Sequence, residues 1–597
     1  MTELQAVILA AGRARRMRPL SDETHKALLT VGETTILERI VEGLHGIGVR
    51  RITVVTGYRA GEVRAYLLDR FPDGGLQFLE NADYATTNNV VSLAMALESI
   101  DIADGDVVLV ECDLLVEPEV FSLLLRPGNV ALVDTYRTGM DGTVVSVSDG
   151  FVSAVHAPHV QGPGFVYADK RKTLNLYRFE RGFVEGALRP MVRWYAESVD
   201  AGSYYELVLA KLVDLPRQRI AAVEVPPGSW TEVDDPNDLA AARFLFEPDR
   251  RSEILDDALG GHWSFEILDF SFMANRYFPT DGMLAAMGHA LPELVSSYGS
   301  RQAVVDRKLA WAIRCEPERV RALAGASQAY PWLGEILESG RVAVPAPTFG
   351  EYGRAFPGAV DYQDRPGIDL DVLDRLAADH DTIVVVNPNN PTGTTLDTAD
   401  LHALAARHPG TRFLVDESFV AFSGQPSLTE RLERDPLTNV VVLASLSKVL
   451  GVSGLRLGFL YTADPDVLAR IDAHLPVWAI GAMSEYLLEL LLKFRPQLES
   501  SIARTIEDRE ELRAGLRAID GVEIVHESGA NFVLFTLRAA AVEGERLRAL
   551  LLARDAIEIK DVSARLADGR AHLRVAVRTP ADNARLLAAL TRTIPDL

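Results

Sequence analysis

At 597 residues the chain is too long for one hydrophobic core, and two or three domains are expected. Its net charge of −23 argues against nucleic-acid binding, because phosphate backbones need basic surface. Hydrophobic residues make up 48%, yet no apolar run reaches about 18, and Met1-Thr2-Glu3-Leu4 lacks a secretory leader pattern, so neither a membrane-crossing helix nor a signal peptide is expected.

The first element is the apolar run 4–10 (LQAVILA), a strand that feeds a basic loop containing Gly12. An amphipathic helix is expected over 35–44, and strands over 51–56 and 106–110. This alternation predicts a parallel sheet with helices on both faces. His156 and His159, in HAPH, lack further ligands and read as solvent-exposed. Near 245 the texture turns polar with EPDRRSE, as a linker would. A second alternating α/β region follows Phe265, with strands at 341–344, 382–386, 412–415 and 440–443. The stretch 478–493 reads as core, 501–518 as helix, and 531–535 and 572–577 as short strands. The predicted domains are 1–246 and 263–597 around a linker at 247–262, the second domain carrying a small C-terminal lobe. Cys112 and Cys315 are the only cysteines, which predicts a reduced, cytoplasmic protein.

The first loop reads Leu9-Ala10-Ala11-Gly12-Arg13-Ala14-Arg15-Arg16-Met17-Arg18-Pro19-Leu20, with Lys26 after it. A strand running into a small-residue loop brings backbone N–H groups against phosphates. Arg16 and Lys26 are suited to neutralise a triphosphate and the charge that develops on departing pyrophosphate. Two carboxylates at strand ends, far apart in sequence, suit one or two Mg²⁺ ions bridging triphosphate and acceptor. Over about 4–245 the chain resembles the sugar-nucleotide and choline-phosphate nucleotidyltransferases, with Ala14 in place of a glycine and His25 in place of a proline. That resemblance implies that the Mg²⁺ carboxylates are Asp113 and Asp234, with Glu232 as a helper. That resemblance implies CTP as co-substrate, held by Leu9, Ala10, Ala11 and Gly12. It implies that Asn81, Thr87, Asn88 and Ser92, in NADYATTNNVVS, read the cytosine. It implies that Lys172, in KTLNLY, meets the acceptor's phosphate or phosphonate, and that Tyr205 and Glu206 line the same pocket.

The second region carries the parts that pyridoxal 5'-phosphate (PLP) requires. Ser445-Leu446-Ser447-Lys448 precedes Arg456 in GLRLG: a lysine to bond the cofactor, with hydroxyls and an arginine for its phosphate. Asp416 ends an apolar strand, where open α/β sheets bind ligands, and suits the pyridine nitrogen. Asn390, in NPNNPTG, suits the ring hydroxyl, and Phe349, in PTFGEY, suits stacking on the ring. Each piece alone reads as a turn or cap residue; their order and spacing together carry the signal. Over about 265–595 the chain resembles the fold-type I aminotransferases, nearest the histidinol-phosphate aminotransferase and threonine-phosphate decarboxylase group. That resemblance implies phosphate contacts from Ser327, Gln328, Ser445, Ser447 and Arg456. It places Asn275 near the substrate, Arg574 on a substrate α-carboxylate, and Tyr298 at the neighbouring subunit's cofactor in a homodimer. Phe419 stands where a ring-contacting tyrosine is common, which leans toward the decarboxylase branch.

The fold class is therefore α/β: a Rossmann-like nucleotidyltransferase domain followed by a fold-type I PLP-dependent domain. An acceptor bearing phosphate or phosphonate, together with an amino-acid substrate, points to one phosphono- or phospho-amino acid. The fusion resembles bifunctional proteins of phosphonate biosynthesis. By that resemblance CTP and 2-amino-4-phosphonobutyrate give a CMP-phosphonate that then loses its α-carboxylate. A cytidylyltransferase fused to an aminotransferase, acting on aminoethylphosphonate or a phospho-amino acid, remains the alternative. Partners are small molecules, with no nucleic acid or membrane.

Overall fold

The computed structural model describes residues 3–597 except 138, 163, 216–218 and 365–366. Their contacts divide into two compact units, Met1–Glu266 and Ile267–Leu597.

The first unit is built on a nine-stranded sheet. In chain order its strands are β1 (Leu4–Ala10), β2 (Arg51–Thr56), β3 (Leu76–Glu80), β4 (Asp106–Glu111), β5 (Asn129–Thr135), β6 (Val144–Ser148), β7 (Phe151–His156), β8 (Lys170–Phe179) and β9 (Ile220–Glu224). Across the sheet they lie β3-β2-β1-β4-β8-β5-β9-β7-β6. The neighbours β3, β2, β1 and β4 are parallel. β1 is buried at every residue after Leu4, which is why its sequence is one apolar run and not an alternation. The helix Ile36–Gly46 starts at Thr35, whose hydroxyl accepts the Glu38 N–H, and buries Ile36, Leu37, Ile40, Val41 and Leu44.

The other half of this sheet departs from the expected parallel arrangement. β8 runs antiparallel to both β4 and β5. β6 and β7 form a hairpin closed by Asp149 and Gly150, both at positive φ (52° and 79°). Asp-Gly is a strong two-residue hairpin signal, and it marks where strand–helix alternation gives way to strand–strand return. The segment 247–262, expected as a linker, is largely helical: Pro248–Arg250 turns into the helix Arg251–Ala258, and it groups with the first unit.

The second unit holds a seven-stranded sheet. Its strands are β10 (Val320–Leu323), β11 (Val342–Ala346), β12 (Val360–Gln363), β13 (Thr382–Val386), β14 (Arg412–Asp416), β15 (Val440–Ser445) and β16 (Gly458–Thr462), in the order β10-β16-β15-β14-β13-β11-β12. β15, β14, β13, β11 and β12 are parallel, so Ala346, Val386, Asp416 and Ser445 end on the same edge. The C-terminal lobe is a four-stranded antiparallel sheet of β17 (Val522–Val525), β18 (Phe532–Ala540), β19 (Lys560–Asp561) and β20 (Arg570–Ala576), in the order β17-β18-β20-β19. The long helix Ala482–Arg517 is kinked at Phe494, beside Pro496. Its first half buries Leu487, Leu488, Leu490 and Leu491 in the large core, and its second half buries Leu512 and Leu516 under the lobe.

Candidate active sites

In the first unit the loop after β1 and the end of β4 enclose a cavity of about 170 Å³. Leu9, Ala11 and Gly12 line one side; Asn81, Thr87, Asn88 and Ser92 line another. Asn81 donates to Thr87 Oγ1 at 3.2 Å and to Ser92 Oγ at 3.1 Å, so the three side chains form one polar patch. Ala10 is fully buried within β1 and does not face the cavity. Ala14 takes φ 49° and ψ 57°, the left-handed conformation that a glycine would adopt without strain. His25 has φ −67°, near the angle at which proline is fixed, and its ring Nδ1 accepts the Ala27 N–H. Both departures from the related motif therefore keep its backbone path.

Lys26 also faces the cavity. Its ammonium sits between Asp113 Oδ2 at 2.8 Å and Asp234 Oδ1 at 2.9 Å, and Arg16 reaches Asp234 at 2.6 Å and Asp141 at 2.9 Å. Burial works against the Lys26 charge, but Asp113 and Asp234 outweigh it and hold the amine well above its usual range. Asp113 Oδ1 is buried without a hydrogen-bond partner among the described residues. Two carboxylates with a free buried oxygen, completed by substrate phosphates, are the hard oxygen donors that Mg²⁺ takes. Among the described residues no group of three or more His, Cys, Asp or Glu is placed to hold a metal alone.

Lys172, on β8, is 2% exposed and pairs with Glu232 Oε2 at 3.0 Å. Glu206 is buried, and Asn89 Nδ2 bridges it (3.4 Å) to Glu111 (3.2 Å), a cavity residue that the sequence reading missed. Tyr205 is fully buried in the apolar core against Tyr177, while its neighbour Tyr204 lines the cavity. His156 bonds Ser146 Oγ at 2.9 Å and His159 is exposed.

In the second unit the predicted residues converge on the shared strand edge. Lys448 lies on the short helix Leu446–Val449, which follows β15 directly. Burial lowers its amine pKa, Arg456 and Arg574 add to this, and Asp416 opposes it. A lowered amine pKa favours the neutral, nucleophilic form. Asp416 ends β14, is 4% exposed, and accepts from Tyr352 Oη at 2.6 Å and from the Ser418 N–H at 2.9 Å. Gly325 has φ 79°, and a Cβ there would meet Arg456 Nη2 at 2.7 Å, so only glycine fits. Arg456 in turn donates to Ser327 Oγ at 2.9 Å. Gln328 is turned to its own backbone, accepting the Ala324 N–H at 2.7 Å. The Ser445 N–H donates to Ser418 Oγ at 2.9 Å, and Ser447 Oγ is buried without a partner among the described residues.

Asn390 Oδ1 accepts from Arg574 Nη1 at 2.7 Å, and Arg574 Nη2 donates to the Ser271 carbonyl at 2.6 Å. Arg574 Nε is buried and unpartnered among the described residues. Burial lowers the Arg574 pKa, yet a guanidinium stays charged at neutral pH. Asn275 lies beside the lysine helix, but its amide is used up: it donates to Val449 O at 3.0 Å and Ser501 Oγ at 2.7 Å and accepts the Tyr277 N–H. Its place is to fix the lysine helix and not to face substrate. Phe419 packs with Met273, Ala530, Phe532 and Ala576. Tyr298 is 80% exposed and stacks on Trp478, with ring centroids 4.5 Å apart. Tyr352 was not singled out in the sequence, although it follows Phe349 by three residues and its N–H donates to the Phe349 carbonyl at 3.2 Å.

These residues fit PLP. The orphaned Ser447 hydroxyl, the Arg456–Ser327 contact and the glycine-only approach at Gly325 suit its phosphate, and Asp416 its ring nitrogen. Beside Asp416, Glu417 is buried, accepting from the Ser427 hydroxyl and from the Leu428 N–H at 2.7 Å. Burial pushes its carboxyl up to about 7, from an ordinary 4.5. A raised folded pKa gives stability that is present below the ordinary value and lost as pH climbs through about 7. Glu417→Gln is therefore expected to gain on the wild type between pH 5 and pH 8, by on the order of a few degrees in Tm, read by calorimetry at both pH values.

The two sites define a nucleotidyltransferase followed by a PLP-dependent enzyme. The model of the MobA-like NTP transferase domain matches residues 6–160, and that of aminotransferase class I and II matches 274–590. The chain is 31% identical over 605 aligned positions to the CMP-5'-(3-aminopropyl)phosphonate synthase of Streptomyces rubellomurinus, covering 99% of this chain and 95% of that one. It is 27% identical to the L-serine phosphate decarboxylase of Sulfurospirillum multivorans over 52% of this chain and 82% of that one. The histidinol-phosphate aminotransferase structure from Clostridium acetobutylicum shares the fold, with a TM-score of 0.50 and 22% identity over 55% of this chain and 100% of that one. The chain belongs to the aminotransferase class I and II family through its second unit and, from end to end, to the family of the Streptomyces synthase.

Proposed function

We propose that the first unit transfers CMP from CTP to a phosphonate oxygen of 2-amino-4-phosphonobutyrate, releasing pyrophosphate. The second unit then removes the α-carboxylate as CO₂, leaving CMP-5'-3-aminopropylphosphonate. The observation that carries this reading is the likeness to the Streptomyces synthase over 99% of the chain, with the candidate residues of both sites present.

In this reading the backbone of Leu9, Ala11 and Gly12 cradles the triphosphate, and Asn81, Thr87, Asn88 and Ser92 read the cytosine. Asp113 and Asp234 hold Mg²⁺ with the phosphates. Arg16 and Lys26 offset the charge that grows on pyrophosphate, and Lys172 orients the acceptor phosphonate. Catalysis is then mostly positioning and electrostatics.

PLP, when bound, draws electrons out of a bond at the substrate's Cα. Lys448 bonds the cofactor and then carries a proton back to Cα after CO₂ leaves. Asp416 keeps a proton at the ring nitrogen, Asn390 contacts the ring hydroxyl, and Phe349 stacks on the ring. Ser327, Ser445, Ser447 and Arg456 take the phosphate, and Arg574 orients the carboxylate. Phe419 adds an apolar wall. This arrangement serves a protein acting on small molecules in the cytoplasm, where Cys112 and Cys315 stay reduced.

Val295, Tyr298, Val477 and Trp478 are each more than half exposed, and two of them stack on each other. We infer that they meet a second copy, which brings Tyr298 to its partner's cofactor. Light scattering on the holoprotein is expected to give twice the chain mass, and a monomeric mass refutes the dimer.

One incubation tests the reactions: CTP, Mg²⁺, PLP and 2-amino-4-phosphonobutyrate, followed by mass spectrometry and phosphorus NMR. A CMP adduct that loses the mass of CO₂ without a keto acid supports decarboxylation. An adduct that changes only when a keto acid is supplied supports transamination. Absence of pyrophosphate with every phosphonate tried refutes the first half.

A further inference from the structure

We propose that Tyr352 is the positioning residue for Asp416, fixing the orientation and charge of that carboxylate through a single hydrogen bond. The inference rests on the PLP reading of the second unit and goes beyond it.

The carboxylate has no water-filled surroundings in which to settle its own orientation. Asp416 is 4% exposed and Tyr352 0%. Oδ1 accepts the Ser418 N–H at 2.9 Å, a bond set by the turn after β14. Oδ2 accepts the Tyr352 hydroxyl at 2.6 Å, from a residue 64 positions earlier in the chain. Two donors from different elements, one on each oxygen, fix the plane of the carboxylate. A buried carboxylate without donors would take up a proton, and burial does raise the Asp416 pKa; Ser418 and Tyr352 pull it back down. An Asp that became neutral could no longer hold a proton on the ring nitrogen, and the ring would draw electrons less strongly.

Tyr352 is itself held. It lies on the short helix Glu351–Ala355, its ring makes an edge contact with Tyr330 at 5.5 Å, and Tyr330 tilts against Phe349 at 5.9 Å. The three aromatic rings tie the candidate ring-stacking residue to the acid, so both are set by one packed unit. Edge-to-face contacts of this kind favour a single geometry.

The test uses the full-length holoprotein reconstituted with PLP carrying ¹⁵N in its ring. In the wild type the ring nitrogen is expected to give the signal of a protonated pyridine. In Tyr352→Phe that signal is expected to move downfield toward the neutral form, with kcat for CO₂ loss down about tenfold, the worth of one hydrogen bond to a charged group. Cytidylyl transfer is expected to stay unchanged. A second variant carries 3-fluorotyrosine at the same position, keeping the ring and strengthening the donor, and is expected to move the signal the opposite way. If Tyr352→Phe does not fold, the fluorinated variant decides alone. PLP retained with the wild-type signal in every folded variant overturns the inference. A wild-type protein that retains no PLP overturns the cofactor reading, and this inference with it.

Discussion

Lys448→Ala is expected to remove the cofactor's covalent anchor and slow decarboxylation by at least about a thousandfold, the scale of losing a nucleophile that doubles as acid–base group. The measurement is direct. Wild-type protein treated with borohydride should carry the reduced cofactor on a peptide containing Lys448, and the variant should carry none. The variant should still make the CMP-phosphonate, because Lys448 lies in the second compact unit and Lys26 in the first. Folding should survive, since Lys448 is only partly buried and its carbonyl, not its amine, holds the Asn275 N–H. A variant that keeps both cofactor and decarboxylation would place the anchor elsewhere.

Lys26→Met should cripple the first unit in turn. The ammonium lies between two carboxylates, and its removal leaves Asp113 and Asp234 facing each other, with Arg16 bonded to Asp234 only and Lys172 acting on that aspartate through space. Breaking a buried pair in this way costs about 3 kcal/mol. Loss of the charge opposite pyrophosphate should slow cytidylyl transfer about a hundredfold to a thousandfold. The variant also separates two roles of the lysine. In the free protein Lys26 occupies the space between the carboxylates that Mg²⁺ would share, so Mg²⁺ should stabilise Lys26→Met more than the wild type. Thermal unfolding with and without Mg²⁺ reads this difference. Equal Mg²⁺ responses in the two proteins would rule out competition for those carboxylates.

The chemistry-bearing residues were more legible than the architecture around them. Asp416, Asn390 and Arg456 stand at a strand end or in turns, and Lys448 on a one-turn helix directly after a strand, where short motifs carry local backbone information. The antiparallel half of the first sheet was not legible, because alternation of strands and helices says nothing of direction once Asp149-Gly150 closes a hairpin. The functional turn of Asn275 was hidden for another reason: its partners, Val449 and Ser501, are 174 and 226 residues away. Tyr205 and Tyr204 differ by one position, and a one-residue shift at the start of a helix changes which side chain meets the core. Tyr352 and Glu111 act through contacts that only the folded chain brings together.

The Arg574 guanidinium already has two partners, Asn390 and the Ser271 carbonyl, and its buried Nε–H has none among the described residues. Its fork is therefore oriented before any substrate arrives, with donors to spare for the carboxylate that we propose it receives. In an enzyme that expels this group as CO₂, a firm hold on it would stabilise the bound substrate and raise the barrier to its departure. The two standing bonds draw on the same positive charge and temper that hold, and they keep the guanidinium in place when the guest leaves.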